Sequence, residues 1–288
     1  MQAKVSSITN MIVRKVITEG AEIYCEQKGD RGPLLLLITG AMEDAGFYSS
    51  AADILAGKFT VISYDRRCNS RSSGVRSADM TVAQQARDAA SIIKTTGFKD
   101  AIVLGRSGGA IIALELAATR PELIDFLIVH EAPVIELLPD LDERLRWRAF
   151  VNEIYTKSRH EGSQAAQTEF MASLINVPDT PYPSDLNKRI SGNLDFFFKH
   201  ELRAFFGYVP NIENIRNYGI KMVTATGRDS DDAYYVQATK VISSKIGCEN
   251  VEFPGHHDVS FWMPEKFAGA IENTLKKHGC GQEGKEKL

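Results

Sequence analysis

Gly105-Arg106-Ser107-Gly108-Gly109 fits the pattern G-x-S-x-G, in which glycines flank a serine because a β-carbon at those places would collide with neighbouring backbone. The pattern alone arises often by chance, and its surroundings carry the weight. An apolar run, Ala101 to Leu104, leads straight into it, and an uninterrupted helical pattern from about Gly109 leads straight out. Strand, sharp turn and helix can hold a serine hydroxyl proud of a sheet, so Ser107 is the expected nucleophile. The competing reading is a glycine-rich turn with no catalytic role, or one that cradles a phosphate.

A serine hydroxyl is a poor nucleophile at neutral pH and needs a base within hydrogen-bond reach, itself oriented by a third group. Of the six histidines, His256 and His257 follow the last apolar run, Val251 to Phe253, through Pro254-Gly255. In a doubly wound sheet that loop opens at the carboxyl edge where Ser107 stands. His257 is the expected base and His256 the alternative; His130, His160, His200 and His278 read as structural or solvated. Two places are open for the orienting acid. Gly227-Arg228-Asp229-Ser230-Asp231 offers two aspartates, which could instead cap a helix starting near Asp232. Val129-His130-Glu131-Ala132-Pro133 offers Glu131. Acyl transfer also needs two backbone amides aimed at the developing oxyanion. Gly108 is one expected donor, and Gly40 or Ala41, in Thr39-Gly40-Ala41-Met42, is the other. Tyr64-Asp65-Arg66-Arg67 reads as a structural charge network.

These loops require a sheet to present them. Short β-branched or leucine-rich runs alternate with longer segments of helical period, the signature of βαβ units and a mostly parallel sheet. Strands are expected over Ile12 to Ile17, Ala21 to Gln27, Leu34 to Ile38, Phe59 to Tyr64, Ala101 to Leu104, Phe126 to His130, Lys221 to Ala225 and Asn250 to Phe253. The first two should form an antiparallel hairpin. Helical periods fall at Tyr48 to Ala56, Val82 to Thr96, Gly109 to Thr119, Asp232 to Lys245 and Pro264 to Lys276, with Thr81 and Gly97 as cap and stop of the second. From about Pro133 to Arg216 no strand is evident, only helical periods at Leu141 to Lys157, Ser163 to Leu174 and Leu186 to Phe206. A structureless loop of that length would be abnormal, so a helical insertion is expected. It holds 11 of the chain's 25 aromatics. Most of these should form the insertion's own core, with a minority facing a pocket.

With 43% hydrophobic and 25% charged residues, the 288-residue chain has the composition of a soluble globular protein. Thirty-four basic against 37 acidic side chains leave a formal charge of −3, with no basic excess to drive binding to nucleic acid or anionic membranes. No apolar run approaches the roughly 20 residues of a membrane-spanning helix. The first 20 residues lack a secretory signal's apolar core and cleavage site, so a cytoplasmic protein is expected. Cys25, Cys68, Cys248 and Cys280 are widely separated, without C-x-x-C spacing, which argues against structural zinc and a disulfide scaffold. Gly279 to Lys285, with the end of the chain, reads as a frayed polar tail. The expected constellation requires neither a metal nor an organic cofactor. Its partner is a small-molecule substrate, and oligomeric state is left open.

Serine, acid and histidine in that chain order give a sequence that resembles the α/β-hydrolase superfamily from Met11 to about His278. Within it, Thr39-Gly40, Gly105 to Gly109, His130-Glu131-Ala132-Pro133 and Pro254-Gly255-His256-His257 are similar to the fungal zearalenone-type lactonases and related H-E-x-P hydrolases. That resemblance implies Glu131 as the acid, with Ser107 and His257, and favours it over Asp229. The cap tryptophan of that group has no counterpart near Tyr182 to Asn193. The expected fold is therefore an α/β-hydrolase fold, a mostly parallel eight-stranded sheet with a helical cap after the sixth strand. Its core would be 1–132 and 218–288 and its cap 133–217. The expected activity is hydrolysis of an ester or lactone of a mostly apolar small molecule through an acyl-enzyme. Carbon–carbon bond hydrolysis or a lyase reaction on the same triad, and a non-catalytic ligand receptor, are the alternatives.

Overall fold

The computed structural model describes residues 10–178 and 180–281. The polar tail expected at the C-terminus lies outside the described residues from 282 onward. Eight strands form one sheet: β1 (Ile12–Thr18), β2 (Ala21–Lys28), β3 (Leu34–Ile38), β4 (Thr60–Tyr64), β5 (Ala101–Arg106), β6 (Ile124–His130), β7 (Met222–Gly227) and β8 (Glu249–Phe253), in the spatial order β1-β2-β4-β3-β5-β6-β7-β8. β1 and β2 form the expected hairpin, β2 runs antiparallel to β4, and every other pairing is parallel. The eight-stranded, mostly parallel α/β-hydrolase fold is the one read from the sequence.

The central strands are covered on both faces, which is why β3 and β5 read as unbroken apolar runs. Leu34, Leu36 and Ile38 enter one hydrophobic cluster and Leu35 and Leu37 the other, the two-residue alternation of a pleated strand. The first cluster is completed by α2 (Val82–Thr95), α3 (Gly108–Thr119) and α10 (Tyr234–Ile246), the second by α1 (Ser49–Leu55), α11 (Val259–Trp262) and α12 (Pro264–Lys277). Thr81 caps α2 as expected, its hydroxyl accepting from the Gln84 amide at 3.2 Å. α3 is apolar around nearly its whole circumference because it is buried on all sides.

Between β6 and β7 the chain is helical: α4 (Leu141–His160), α5 (Ser163–Met171), α6 (Ser184–Ser191), α7 (Leu194–Phe196), a π-turn (Phe197–Glu201), α8 (Leu202–Phe206) and α9 (Ile212–Tyr218). The single helix expected from Leu186 to Phe206 is thus broken twice. The first break is at Gly192-Asn193, where the buried Asn193 amide leaves the helix to bond the Ser70 amide and the carbonyls of Met42 and Glu43. The second is the π-turn, an insertion that often marks a functional segment. α9 was not expected. Its start and stop signals are local, Asn211 accepting from the Asn214 amide at 2.9 Å and Gly219 in the left-handed region.

Candidate active site

β5 runs two residues further than its apolar stretch and delivers Ser107 at φ 55° and ψ −124°, a backbone conformation that costs a non-glycine residue about 1–3 kcal/mol. Close approach of three chain segments enforces it. A β-carbon at Gly105 would lie 2.2 Å from the Gly109 carbonyl oxygen, and one at Gly109 would lie 2.2 Å from that of Ile38. The Ser107 amide donates to the His130 carbonyl at 3.0 Å, tying the turn to the end of β6.

One residue past that tie, Glu131 also takes a positive φ, 49°, which turns its carboxylate inward. The carboxylate is fully buried and accepts from the Gly227 amide at 2.7 Å and from His257 Nδ1 at 2.7 Å. Burial alone would raise its pKa. The imidazole of His130, charged at the low pH where this carboxyl titrates, and the hydrogen bond from His257 outweigh burial and hold it at about 2. An ionised partner at Nδ1 requires the proton on that nitrogen and leaves the Nε2 lone pair free. The His257 ring packs on Tyr235, with centroids 4.5 Å apart.

Ser107 and His257 line the same cavity, about 70 Å3 in volume, with Ala41 and Gly108 beside them. No hydrogen bond joins Ser107 Oγ to Nε2 among the described residues; such bonds are often long before substrate arrives. Phe47 and Tyr234 of the core line it too, and the insertion supplies much of the remaining wall, chiefly Phe170, Tyr182, Phe197, Phe205 and Phe206. Five of its 11 aromatics therefore face the cavity, the minority share expected.

The alternatives fall elsewhere. His256 is buried, but its Nδ1 accepts from the Asp258 amide at 3.2 Å within its own loop. Asp229 and Asp231 are exposed and neither bonds His257 among the described residues. Nor do they cap a helix, because α10 begins at Tyr234 with no side-chain cap. Gly40 requires a correction: its amide donates to Glu43 Oε2 at 2.8 Å. It is therefore already engaged, whereas no hydrogen bond engages the Ala41 amide among the described residues.

Glu43 belongs to a cluster that the sequence reading missed. Arg106, fully buried, joins Glu43 to Asp258, with Nη1 2.7 Å from Asp258 Oδ1 and 3.1 Å from the His257 carbonyl. Tyr182 donates to the other Asp258 oxygen at 3.1 Å. Burial pushes the Glu43 carboxyl up despite the guanidinium beside it. The available signals were an arginine at the variable place of G-x-S-x-G and an aspartate directly after His257. The Tyr64-Asp65-Arg66-Arg67 segment is the charge network expected: Asp65 binds Arg71 at 2.7 Å, Arg67 binds Asp88 at 2.8 Å, and Arg66 binds Glu201. Among the described residues no group of three or more histidine, cysteine or acidic side chains is placed to hold a metal ion. No described helix is long and apolar enough to cross a membrane.

An inward serine on a strained strand-to-helix turn, with a buried carboxylate–imidazole pair from later loops of the same sheet edge, defines a class of proteins. The chain belongs to the alpha/beta hydrolase fold family, whose model matches residues 33–193. It is 28% identical over 271 residues to the hydrolase YraK of Bacillus subtilis (strain 168), covering 91% of this chain and 96% of that one. Among solved structures it resembles a thermophilic esterase from Thermogutta terrifontis (TM-score 0.72, 20% identity, 92% of this chain and 98% of that one). It also resembles the enol-lactonase from Burkholderia xenovorans LB400 (TM-score 0.70, 15% identity, 91% of this chain and 100% of that one). At those identities the structural likeness concerns the fold. Membership of that family makes the chain an enzyme of the hydrolase class.

Proposed function

We propose that the protein is a serine hydrolase that cleaves an ester or lactone of a small, mostly apolar molecule through an acyl-enzyme. The observation that carries this reading is the 2.7 Å Glu131–His257 contact opening on the cavity that holds Ser107. In the proposed reaction, Ser107 Oγ attacks the carbonyl carbon while His257 Nε2 takes its proton. The resulting oxyanion accepts from the amides of Ala41 and Gly108. As the tetrahedral intermediate collapses, the imidazolium returns the proton to the leaving alkoxide, and Glu131 stabilises the cation without being protonated. Water, activated by the same imidazole, then releases the acid.

The helical segment 133–217 acts as a cap, and its rings select an apolar acyl or alkoxy group, with few polar groups to fix orientation. The esterase and enol-lactonase that share the fold support ester or lactone chemistry over the alternatives. Incubation with a fluorophosphonate followed by peptide mass spectrometry tests the nucleophile. Covalent label is expected on Ser107, with none in Ser107→Ala. An unlabelled folded protein, beside a reference serine hydrolase that labels, overturns the proposal. A panel of p-nitrophenyl esters and lactones of graded chain length and ring size should then show preference for apolar members.

A further inference from the structure

The oxyanion loop is gripped from both sides. On one side the Gly40 amide is bound by Glu43. On the other, the Gly40 carbonyl accepts from Arg66 Nε at 3.1 Å. Arg66 is fully buried and spends its two remaining nitrogens on Glu201, with Nη2 3.0 Å from Oε2. Asn69 adds a bond to Glu201 at 3.2 Å. Glu201 closes the π-turn of the insertion, so the π-turn reaches the Gly40 carbonyl through one guanidinium, while Asn193 of the same insertion holds the Met42 carbonyl beyond it.

The direction of this grip matters. In a trans peptide the C=O and the following N–H point to opposite sides, and the described chain has no cis peptide bond. Fixing the Gly40 carbonyl therefore fixes the Ala41 N–H. In the sheet, β3 lies between β4 and β5. Arg66 follows β4 on one flank and Ser107 follows β5 on the other. A carbonyl drawn toward Arg66 turns the Ala41 amide toward Ser107. The loop has little room to adopt another position, because a β-carbon on Gly40 would lie 3.2 Å from Ser107 Cβ. α8, the helix that continues from the π-turn, also touches the second donor. The Phe205 ring packs 5.3 Å from the Arg66 guanidinium, and a β-carbon on Gly108 would meet it at 3.2 Å.

We propose that Arg66 and Glu201 are positioning residues, through which the π-turn of the cap sets the Gly40–Ala41 peptide and so forms the oxyanion hole. The inference rests on the serine-hydrolase reading above. A buried ion pair contributes little net stability and can often be replaced by apolar side chains of similar volume, whereas breaking it by removing one partner leaves a costly buried charge. Stability and positioning can therefore be separated. Arg66→Met/Glu201→Met should melt within a few degrees of the wild type yet react more slowly. With p-nitrophenyl butyrate, kcat should fall about a hundredfold, the loss typical of one oxyanion donor, while KM stays within about twofold. Fluorophosphonate labelling of Ser107 should slow in parallel. Should the double variant not fold, Arg66→Lys serves instead. It keeps the charge for Glu201 but cannot span both Glu201 and the Gly40 carbonyl, and the same kcat loss is expected. Wild-type rates of labelling and hydrolysis in a folded double variant, or in Arg66→Lys, overturn the inference. Failure of the wild-type protein to label at all overturns the hydrolase reading itself.

Discussion

Glu131 sits at a strained backbone position and is kept ionised by its neighbours, and in the proposed mechanism both features serve one task, orienting the His257 ring through Nδ1. Replacing it with alanine should cost about three to four orders of magnitude in kcat/KM, as loss of the orienting carboxylate does in other triads. Asp229→Ala should change it less than about threefold, because Asp229 is exposed and makes no bond to the imidazole. Steady-state hydrolysis of a p-nitrophenyl ester by the two variants decides between them, and the reverse outcome would move the acid to the loop after β7. Ser107, Glu131 and His257 could be picked out as candidates in the sequence because each lies a few residues past the end of an apolar run, so that the topology of the sheet brings them to one edge. Choosing Glu131 over Asp229 needed family resemblance, since either loop can reach the imidazole. Glu43, Arg106 and Asp258 were hidden for another reason. Their pairing is a matter of side-chain direction between two loops and the end of β5, and nothing in the linear order records it.

The strand-to-helix turn from β5 to α3 owes its geometry to contacts that exclude side chains at 105 and 109. Gly109→Ala would press a methyl group into the Ile38 carbonyl, 2.2 Å away, where backbone rather than a flexible side chain must yield. Overpacking of this kind typically costs about 1–3 kcal/mol and occasionally more, and the backbone contact places this variant at the upper end. Urea unfolding should show the corresponding fall in midpoint, and a stability equal to the wild type would mean that the turn is looser than its contacts imply. Gly269→Ala is the control, since a β-carbon there meets nothing within 4 Å. Core strands and helices were legible to within a residue or two because apolar period and caps are local signals. The insertion was less so. Its helical character was evident, but the break at Asn193 serves the distant Met42–Glu43 loop, and the π-turn satisfies an ion pair with Arg66, 135 positions away. A helical period contains no trace of such a partner.

Acid should unfold the protein in two overlapping steps that originate at the end of β6. His130 is wholly buried, neither ring nitrogen has a hydrogen-bond partner, and burial lowers its pKa from 6.5 to about 4. Its folded pKa lies below the unfolded value, so the unfolded chain binds the proton first. The stability this group contributes is complete above pH 6.5 and is lost as the pH falls toward 4. Glu131, lowered from 4.5 to about 2, contributes stability above pH 4.5 that is lost as the pH falls through 2. His130→Phe removes the first step and, by taking away the imidazolium that holds the Glu131 carboxyl down, moves the second to higher pH, so the comparison is made at pH 4.5 and above. A phenyl ring suits a site already flanked by Phe253 and Phe267, at 5.4 and 6.4 Å between centroids, and it cannot take a proton. Between pH 7 and 4.5 the variant should lose about 2–3 kcal/mol less than the wild type, the size of a two-unit depression at 1.36 kcal/mol per unit. His256, whose pKa burial also lowers, titrates in both proteins and cancels from the difference. Urea unfolding at the two pH values measures it. Parallel losses in variant and wild type would show that the His130 imidazole reaches a partner or water before the chain unfolds.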